Sequence, residues 1–352
     1  MERIAQPRIN AIGTAVPRSD VHGVYAGWAR QQLADPREQA LFERMLARGG
    51  IEHRWSVLAD GDATLAEGSF YRRNASPGTA ERMRRYAQAA PDLALQAIAE
   101  LPGLDGVTHL IVASCTGFMA PGLDQVIARR LGLPGNVERL SIGFMGCYAG
   151  ITLLRTAAQV VRAVPQAKVL AVAVELSTLH LQESDSLEAL LAMGQFADGA
   201  AAALVSAEGA GLALGQAISA TLDDSADLIT WTVTDTGFAM HLSGEVPGRL
   251  AEAFAAADLR ASLHLGDPPP AMAVHPGGKS ILDAVERGLD LPHEALAASR
   301  HVLANCGNMS SVSVIFVLKE MFANHPSDGI ALAFGPGLAM EGLRFGWVNG
   351  DA

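Results

Sequence analysis

Cys147 is the first candidate for chemistry in this chain, because it stands where a predicted strand turns into a predicted helix. Gly146 and Gly150 flank it, and glycines leave room for a substrate to approach the sulfur closely. A thiol at a helix N-terminus lies in the positive end of the helix dipole, which favours the nucleophilic thiolate. A buried structural cysteine is the alternative. Position alone leaves both roles open for Cys147.

His275 and Asn308 are two residues that could assist such a thiol. His275 ends a short apolar run that predicts a buried strand, and the Pro-Gly-Gly stretch 276–278 then predicts a turn. The turn exposes the imidazole at the edge of a sheet, where α/β enzymes bind their ligands. Asn308 opens an apolar predicted helix, where it could equally be an ordinary N-cap. Taken alone, each residue also has a structural explanation, so the case rests on their joint occurrence.

The elements that must position these residues alternate between strand-like and helix-like patterns along the whole chain, which predicts an α/β fold. Apolar runs bounded by turn residues predict strands at 109–114, 137–142, 168–174, 200–206, 229–234, 238–242, 271–274, 330–334 and 343–348. Helical periodicity and capping residues predict helices at 35–49, 79–101 (interrupted at Pro91), 123–131, 151–164, 187–195, 247–259, 280–289, 293–304 and 308–322.

Composition limits the class of protein. The 352 residues are 49% hydrophobic and 18% charged, which is typical of a globular chain rather than a disordered one. The net charge of −11 and the absence of a basic run argue against nucleic acid as a partner, and an anionic ligand would need a local basic opening. No apolar run reaches the roughly 18 residues that span a bilayer, and the first residues contain no apolar signal region. A cytoplasmic protein without a transmembrane segment is therefore predicted.

Cysteine usage and glycine motifs exclude several kinds of site. The three cysteines, Cys115, Cys147 and Cys306, argue against a disulfide framework. No CxxC or HExxH spacing occurs, so no bound metal is predicted. The stretch 277–280 (Gly-Gly-Lys-Ser) lacks the first glycine of a phosphate-binding loop, and the glycines of 209–215 have the wrong spacing for a dinucleotide-binding fingerprint. Both stretches are interpreted as turns.

Four motifs follow one another in the chain. They are 146–150 (Gly-Cys-Tyr-Ala-Gly), 275–278 (His-Pro-Gly-Gly), 307–311 (Gly-Asn-Met-Ser-Ser) and 334–337 (Phe-Gly-Pro-Gly). In order and spacing they resemble the motifs of type III polyketide synthases, the chalcone synthase superfamily, and weaker similarity covers nearly the whole chain. The segment 114–118 (Ser-Cys-Thr-Gly-Phe) is similar to the bacterial branch of that family.

The resemblance implies a thiolase-like α/β fold, in which two similar halves form a five-layer α-β-α-β-α arrangement. The N-terminal half, 1–210, would carry the nucleophilic cysteine, and the C-terminal half, 211–352, would carry the histidine and the asparagine. A break in the pattern near 207–215 supports this boundary. A homodimer and coenzyme A thioester substrates, with no bound cofactor and no metal, are implied in the same way.

The resemblance also assigns roles to the three residues. Cys147 takes a starter acyl group from coenzyme A by thioester exchange, and a protonated His275 stabilises its thiolate as an ion pair. His275 and Asn308 then donate hydrogen bonds to the thioester oxygen of malonyl-CoA. Loss of carbon dioxide leaves an enolate, which attacks the acyl group on Cys147 and lengthens it by two carbons.

Other positions matched by the resemblance concern substrate binding. Phe196 matches a gatekeeper phenylalanine, and Met240 stands where plant enzymes carry a second one, so a more adaptable gate is predicted. Arg44 and Arg48 match basic residues near the coenzyme A phosphates, with Arg44 the preferred candidate of the two, although their spacing also fits a solvated helix face. Four further residues match cavity-lining positions, with plain packing as the alternative: Cys115, His180, Trp231 and Ala120.

Alternatives remain open for the activity and the product. An initiating ketoacyl synthase (ketoacyl synthase III) shares the fold and a Cys-His-Asn site but uses an acyl carrier protein, and a catalytically idle thiolase-fold binding subunit is a further alternative. The aromatic content of 5% and the adaptable gate favour a fatty acyl-CoA starter and an alkylpyrone or alkylresorcinol product. A route from malonyl-CoA alone to a phloroglucinol or tetrahydroxynaphthalene product is the alternative.

Overall fold

The structure, a computed structural model, describes residues 5–59, 69–72 and 74–350. Residues 1–4, part of the segment predicted to lack a signal region, lie outside the described residues. Within the described part of the chain, no helix is long and apolar enough to cross a membrane.

The described residues form strands and helices that alternate along the chain. The strands are β1 (Arg8–Ala15), β2 (Ser19–Asp20), β3 (Trp55–Ser56), β4 (His109–Ser114), β5 (Glu138–Gly143), β6 (Val169–Leu176), β7 (Asp198–Ser206), β8 (Gly211–Thr221), β9 (Ile229–Thr234), β10 (Gly237–Leu242), β11 (Ala271–Val274), β12 (Gly329–Gly335) and β13 (Ala339–Val348). The α-helices are α1 (His22–Arg30), α2 (Pro36–Ala47), α3 (Thr79–Ala99), α4 (Leu123–Arg130), α5 (Ala149–Ala163), α6 (Leu187–Met193), α7 (Val246–Ala255), α8 (Ala257–Ser262), α9 (Lys279–Leu289), α10 (Ala297–Cys306) and α11 (Ser313–Phe322).

Nine of these strands form one mixed sheet in the order β11-β12-β13-β8-β1-β7-β6-β4-β5. The strands β5, β4 and β6 are parallel to one another, as are β11 and β12, and the remaining pairs are antiparallel. The two halves of the sheet meet at β1 and β8, which pair only at Arg8 with Ala213 and Ile9 with Leu212. β9 and β10 form a separate hairpin.

Alternation along the strands explains why both faces of the sheet are covered. In β6, the odd-numbered residues from 169 to 173 join a central hydrophobic cluster, and the even-numbered residues from 170 to 174 join a second cluster on the opposite face. In β12, residues 331 and 333 join the same central cluster, whereas 330, 332 and 334 join a third.

The helices complete five layers. α5 and α11 contribute the middle helical layer, because their apolar residues belong to the central cluster that both half-sheets share. α1 to α4 cover the outer face of the first half, and α7 and α9 cover that of the second. The predicted α-β-α-β-α order is therefore present, with the two strand layers joined edge to edge through β1 and β8.

Several predicted elements need correction. α3 is continuous across Pro91, because a broad buried face along the helix packs it against the sheet and outweighs one lost backbone hydrogen bond. The stretch 211–215, interpreted as a turn, lies in β8. A residue with a side chain would not fit at Gly211, where a Cβ would lie 2.1 Å from the carbonyl oxygen of Ile9. The predicted helix 247–259 is two helices, α7 and α8, and 308–322 begins with a 3₁₀ turn at 310–312.

Candidate active site

Cys147 lies just before α5, in a turn that depends on two glycines. Gly146 has φ +79°, and a Cβ there would lie 2.2 Å from Cδ of Pro336. Gly150, in the first turn of α5, faces the carbonyl oxygen of Ser311, and a Cβ would lie 2.1 Å from it. The absence of these side chains lets the Cys147 segment pack directly against the Pro336 ring and the Ser311 backbone of the C-terminal half.

His275 follows β11 and is fixed through its backbone. Its N–H donates to the carbonyl of Leu332 at 2.7 Å, and the N–H of Gly277 donates to the carbonyl of His275 at 2.9 Å. The side chain is 1% exposed, and neither ring nitrogen has a hydrogen-bond partner among the described residues. Buried polar atoms are normally satisfied, so an unpartnered imidazole that lines a cavity indicates a group that binds a ligand.

Asn308 has a side-chain amide of fixed orientation. Its Oδ1 accepts from the N–H of Ser310 at 2.8 Å, and its Nδ2 donates to the carbonyl of Gly277 at 3.1 Å. Because Nδ2 carries two hydrogens, the second one can bond to the Cys147 sulfur or, in its place, to a ligand. The preceding residue, Gly307, has φ +66°, a conformation that favours glycine.

One apolar cavity brings Cys147, His275 and Asn308 together. The cavity has an empty volume of about 700 Å³, part of which is open to solvent. Four residues predicted from the sequence also line it: Phe196, Met240, Cys115 and Trp231. Met240 and Trp231 face each other across the β9–β10 hairpin, which forms one wall.

His180 and Ala120 are not among the described residues that line this cavity, and their lining role stays a prediction. His180 lies behind the wall, stacked on Phe238 with ring centroids 4.2 Å apart and edge-on to Trp231 at 5.6 Å. Ala120 is exposed at the surface of the chain. Burial lowers the pKa of His180 to about 3, so it packs as a neutral imidazole.

Arg48 and Arg44 occupy different places on the surface. Arg48 lines an opening that also contains Gln195 and Lys279. A neighbouring hollow shares Gln195 with this opening and shares Leu242, Val246 and Ile281 with the catalytic cavity. Arg44 lines a separate shallow hollow with Arg37 and Glu43. Of the two predicted coenzyme A residues, Arg48, not the preferred Arg44, lines the opening that adjoins this hollow, and coenzyme A binding by either residue stays a prediction.

Comparison with known proteins decides the family. The family model for the N-terminal domain of chalcone and stilbene synthases matches residues 4–209, and the model for their C-terminal domain matches 213–348. This chain belongs to the chalcone and stilbene synthase family. The predicted resemblance to type III polyketide synthases is thereby confirmed, and the chain is an acyl-transferring enzyme of that class that uses coenzyme A thioesters.

Individual relatives agree with the assignment of this chain to the chalcone and stilbene synthase family. "Alpha-pyrone synthesis polyketide synthase-like Pks18" of Mycobacterium tuberculosis is 33% identical, over 96% of this chain and 90% of that protein, in line with the predicted bacterial branch. The crystal structure of PKS-I from the brown alga Ectocarpus siliculosus matches with a TM-score of 0.88 and 29% identity, covering 99% of this chain and 100% of that one. The C-terminal type III polyketide synthase domain of Steely1 from Dictyostelium matches with a TM-score of 0.85 and 27% identity, covering 97% and 99%. These likenesses confirm the thiolase-like fold.

The electrostatics of the site bear on the predicted ion pair of Cys147 and His275. Burial raises the pKa of Cys147 to about 12, although hydrogen bonds from Ser310 and Asn308 act in the opposite direction, and burial lowers the pKa of His275 to about 3. Burial of the two groups therefore acts against the ion pair that the resemblance implies, which stays a prediction.

Sequence reasoning missed Glu175, a buried carboxyl group of the chalcone and stilbene synthase site. It accepts hydrogen bonds from the N–H of Cys115 at 2.9 Å, from the hydroxyl of Thr116 at 2.8 Å and from the hydroxyl of Ser311. Burial raises its pKa to about 7. It joins the two halves beneath the cavity. The signal was available, because Glu175 is the one charged residue of the otherwise apolar strand β6.

Proposed function

We propose that this type III polyketide synthase uses Cys147, His275 and Asn308 to join malonyl-CoA to a fatty acyl starter, and that it cyclises the product to an alkylpyrone or alkylresorcinol. The observation that carries the proposal is the convergence of a thiol, an unpartnered imidazole and a partly free amide on one apolar cavity. These groups come from segments far apart in the sequence, and each faces space that a thioester would occupy.

Loading of the starter begins from the neutral pair. As the sulfur of Cys147 attacks the thioester carbonyl carbon, His275 accepts the thiol proton as a general base. The carbon–sulfur bond of the acyl-CoA breaks, and the departing coenzyme A thiolate takes the proton from His275. The acyl group is then held as a thioester on Cys147. A neutral imidazole suits this role, because only the unprotonated ring can accept the proton.

Extension uses the two hydrogen-bond donors. Loss of carbon dioxide from malonyl-CoA leaves an enolate, whose oxygen accepts hydrogen bonds from one N–H of His275 and the free N–H of Asn308. The enolate carbon attacks the thioester carbonyl on Cys147, and the carbon–sulfur bond breaks. The freed sulfur can then receive the extended chain from coenzyme A. Apolar walls keep water from the enolate and the thioester.

The starter and product are supported by the walls of the cavity. The side chains facing its interior include Ile229, Leu242, Val246 and Ile281, which offer an apolar surface to an alkyl chain. Each methylene buried against such a surface contributes about 0.8 kcal/mol, so longer acyl chains are favoured. The name of the mycobacterial relative refers to alpha-pyrone synthesis, which supports a pyrone as the product.

A second candidate, condensation of malonyl-CoA alone, is favoured by the aromatic wall behind the cavity. His180, Phe238 and Trp231 pack against one another, and Nε1 of Trp231 donates to the carbonyl of Cys115 at 3.0 Å. This wall limits the depth available to an acyl chain on that side. A phloroglucinol or tetrahydroxynaphthalene product would need less depth than a long alkyl chain.

Competition among acyl-CoA starters from C2 to C16, with products read by mass spectrometry, tests the two candidates. We expect medium or long chains to exceed acetyl-CoA in kcat/KM and to appear in pyrone or resorcinol products. Met240→Phe narrows the gate and should shift the preference toward shorter starters. Equal or better use of malonyl-CoA alone, with no alkyl chain in the product, would contradict the fatty acyl starter and support the second candidate.

We further propose that the enzyme is a homodimer formed along β5. This strand is the last of the sheet, and its exposed backbone edge can pair with another strand. Two exposed apolar side chains lie there, Leu140 at 46% and, on the neighbouring loop, Phe118 at 52%. The division into halves 1–210 and 211–352 and the cytoplasmic location remain predictions.

A further inference from the structure

Arg54 is a buried cation beneath the gate of the cavity. Its side chain is 1% exposed, and its guanidinium carbon lies 4.3 Å from the centre of the Tyr25 ring. Nη1 donates to the carbonyl of Met193 at 2.9 Å and to the carbonyl of Phe196 at 3.1 Å. One nitrogen therefore holds both ends of the short segment that leads from α6 into β7.

The other two guanidinium nitrogens lack such carbonyl partners among the described residues. Nε and Nη2 are buried without a hydrogen-bond partner among the described residues, and Arg54 forms no ion pair with a carboxylate of that part of the chain. Burial lowers its pKa to about 10, partly offset by the Tyr25 hydroxyl and the Asp198 carboxyl, so Arg54 stays charged at neutral pH. A buried cation with incomplete partners is unfavourable for folding alone. Such exceptions in a well-packed fold often occur at functional sites.

The segment that Arg54 holds is also the backbone support of Asn308. The N–H of Asn308 donates to the carbonyl of Gln195 at 2.8 Å, and the N–H of Ala197 donates to the carbonyl of Asn308 at 2.9 Å. Along the segment, the residues bonded to Asn308 (195 and 197) alternate with those bonded to Arg54 (193 and 196). The arginine stem lies against the same junction, because a Cβ at Gly307 would lie 3.1 Å from its Cγ.

We propose that Arg54 is a positioning residue that fixes segment 193–197 and thereby sets both the Phe196 ring at the gate and the Asn308 amide in the cavity. The proposal rests on the proposed function, since it concerns the donor that stabilises the enolate. Arg54 does not touch substrate. It acts through four hydrogen bonds to the backbone of segment 193–197. The side chain of Arg54 makes two of them, and the backbone of Asn308 makes the other two.

The test compares Arg54→Met and Arg54→Lys with a matched control. Arg8→Met is suitable, because Arg8 is also buried (7% exposed) and its guanidinium also binds a backbone carbonyl, that of Gly209, outside the cavity. All variants are made in the Cys147→Ala background, where malonyl-CoA decarboxylation reports on His275 and Asn308 without condensation. Rates are divided by the folded fraction, measured by circular dichroism at the assay temperature.

In Arg54→Met we expect the kcat of decarboxylation to fall at least about tenfold while KM changes less than about threefold, because a donor used in the transition state is misplaced. Arg54→Lys should recover part of the loss, since lysine keeps the charge but not the planar fork. Arg8→Met should have the same kcat and KM for decarboxylation as the Cys147→Ala enzyme from which it is made. If Arg54→Met does not fold, Arg54→Lys decides, and a kcat equal to that of the parent overturns the proposal.

Two results separate the failure of this inference from the failure of the proposed function. Equal decarboxylation by Arg54→Met and Arg8→Met, per folded enzyme, overturns the positioning role while the proposed function stands. A loss seen only in KM also overturns it, because it would show that Arg54 affects binding and not the donor. If the enzyme with all three catalytic residues intact does not decarboxylate malonyl-CoA, the proposed function itself is wrong.

Discussion

At the scale of residues, the site separates two tasks that can be measured apart. In the proposed mechanism, the thiol of Cys147 carries the growing chain, whereas His275 and Asn308 stabilise the enolate. We expect Cys147→Ala to abolish condensation and to retain malonyl-CoA decarboxylation. Asn308→Ala should lower decarboxylation by roughly 100- to 1,000-fold, the usual effect of removing one donor to a developing oxyanion. Product analysis and carbon dioxide release measure the two activities, and extension of a starter by Cys147→Ala would show that another residue is the nucleophile.

The protonation state of Cys147 gives a prediction about pH. Burial raises its pKa to about 12 and lowers that of His275 to about 3, so burial favours the thiol and the uncharged ring in the free site. We expect alkylation of Cys147 by iodoacetamide to rise about tenfold per pH unit between pH 6 and 9, as the thiolate fraction does.

Mass spectrometry of the peptide that contains Cys147 follows this reaction apart from Cys115 and Cys306. His275→Ala should leave the slope unchanged, because a neutral ring exerts no charge on the sulfur. A rate that is already constant between pH 6 and 8, and that loses this plateau in His275→Ala, would show that the ion pair suggested by the sequence does form.

Residue types were easier to predict from the sequence than residue orientations. Cys147, His275 and Asn308 were identified as candidates because each lies in a short motif that can be read in the sequence alone. The hydrogen bonds that fix the Asn308 amide involve Gly277 and Ser310, and only the fold brings Gly277 there. The same limit applies to the preference for Arg44 over Arg48, since spacing along a helix does not reveal which side chain reaches an opening.

At the scale of elements, the contact between α5 and the Asn308 segment depends on Gly150. We expect Gly150→Ala to lower both stability and activity, because the new methyl group would lie 2.1 Å from the carbonyl oxygen of Ser311. Gly248, inside α7, is the matched control, since a Cβ there meets no atom of the described residues within 4 Å. Gly248→Ala should raise stability by about 0.5–1 kcal/mol through helix propensity. Melting temperatures and decarboxylation rates of the two variants test this prediction. Equal melting temperatures for Gly150→Ala and Gly248→Ala would contradict the close contact at Gly150.

The elements that the sequence predicted correctly are those with strong apolar runs. β4 and β11 have the predicted bounds, and α2 begins after the predicted cap, with Asp35 accepting from the N–H of Arg37 at 2.8 Å. β8 was missed because glycine and alanine dominate its first residues, and its pairing with β1 and β13 is a long-range contact. The secondary structure of such segments depends on tertiary packing, which local sequence patterns do not show.

At the scale of the whole molecule, the exposed end of the sheet gives a test of assembly. We expect light scattering to report twice the mass of one chain. Leu140→Lys, in β5, should shift the enzyme toward the monomer, because it places charges along the paired edge. Val233→Lys is the control, since Val233 is similarly exposed (51%) but lies on the β9–β10 hairpin. A monomer without substitution, or equal effects of the two lysines, would exclude β5 as the interface.

The opening lined by Arg48 and Lys279 has a consequence for how fast substrates arrive. The molecule carries a net charge of −11, so an anionic thioester is repelled at long range. Lys279 is paired with Asp283 at 2.8 Å in this opening, so we expect Arg48 to supply most of the attraction there, and only at short range. Raising the salt concentration from 10 to 100 mM shortens the screening distance from about 30 Å to about 10 Å, which removes the repulsion first. We expect kcat/KM for malonyl-CoA to increase over this range and to fall only at higher ionic strength. Arg48→Gln should weaken the later fall and leave the early increase, which stopped-flow measurements across a salt series would reveal; a steady decrease from the lowest salt would mean that attraction governs the encounter at every distance.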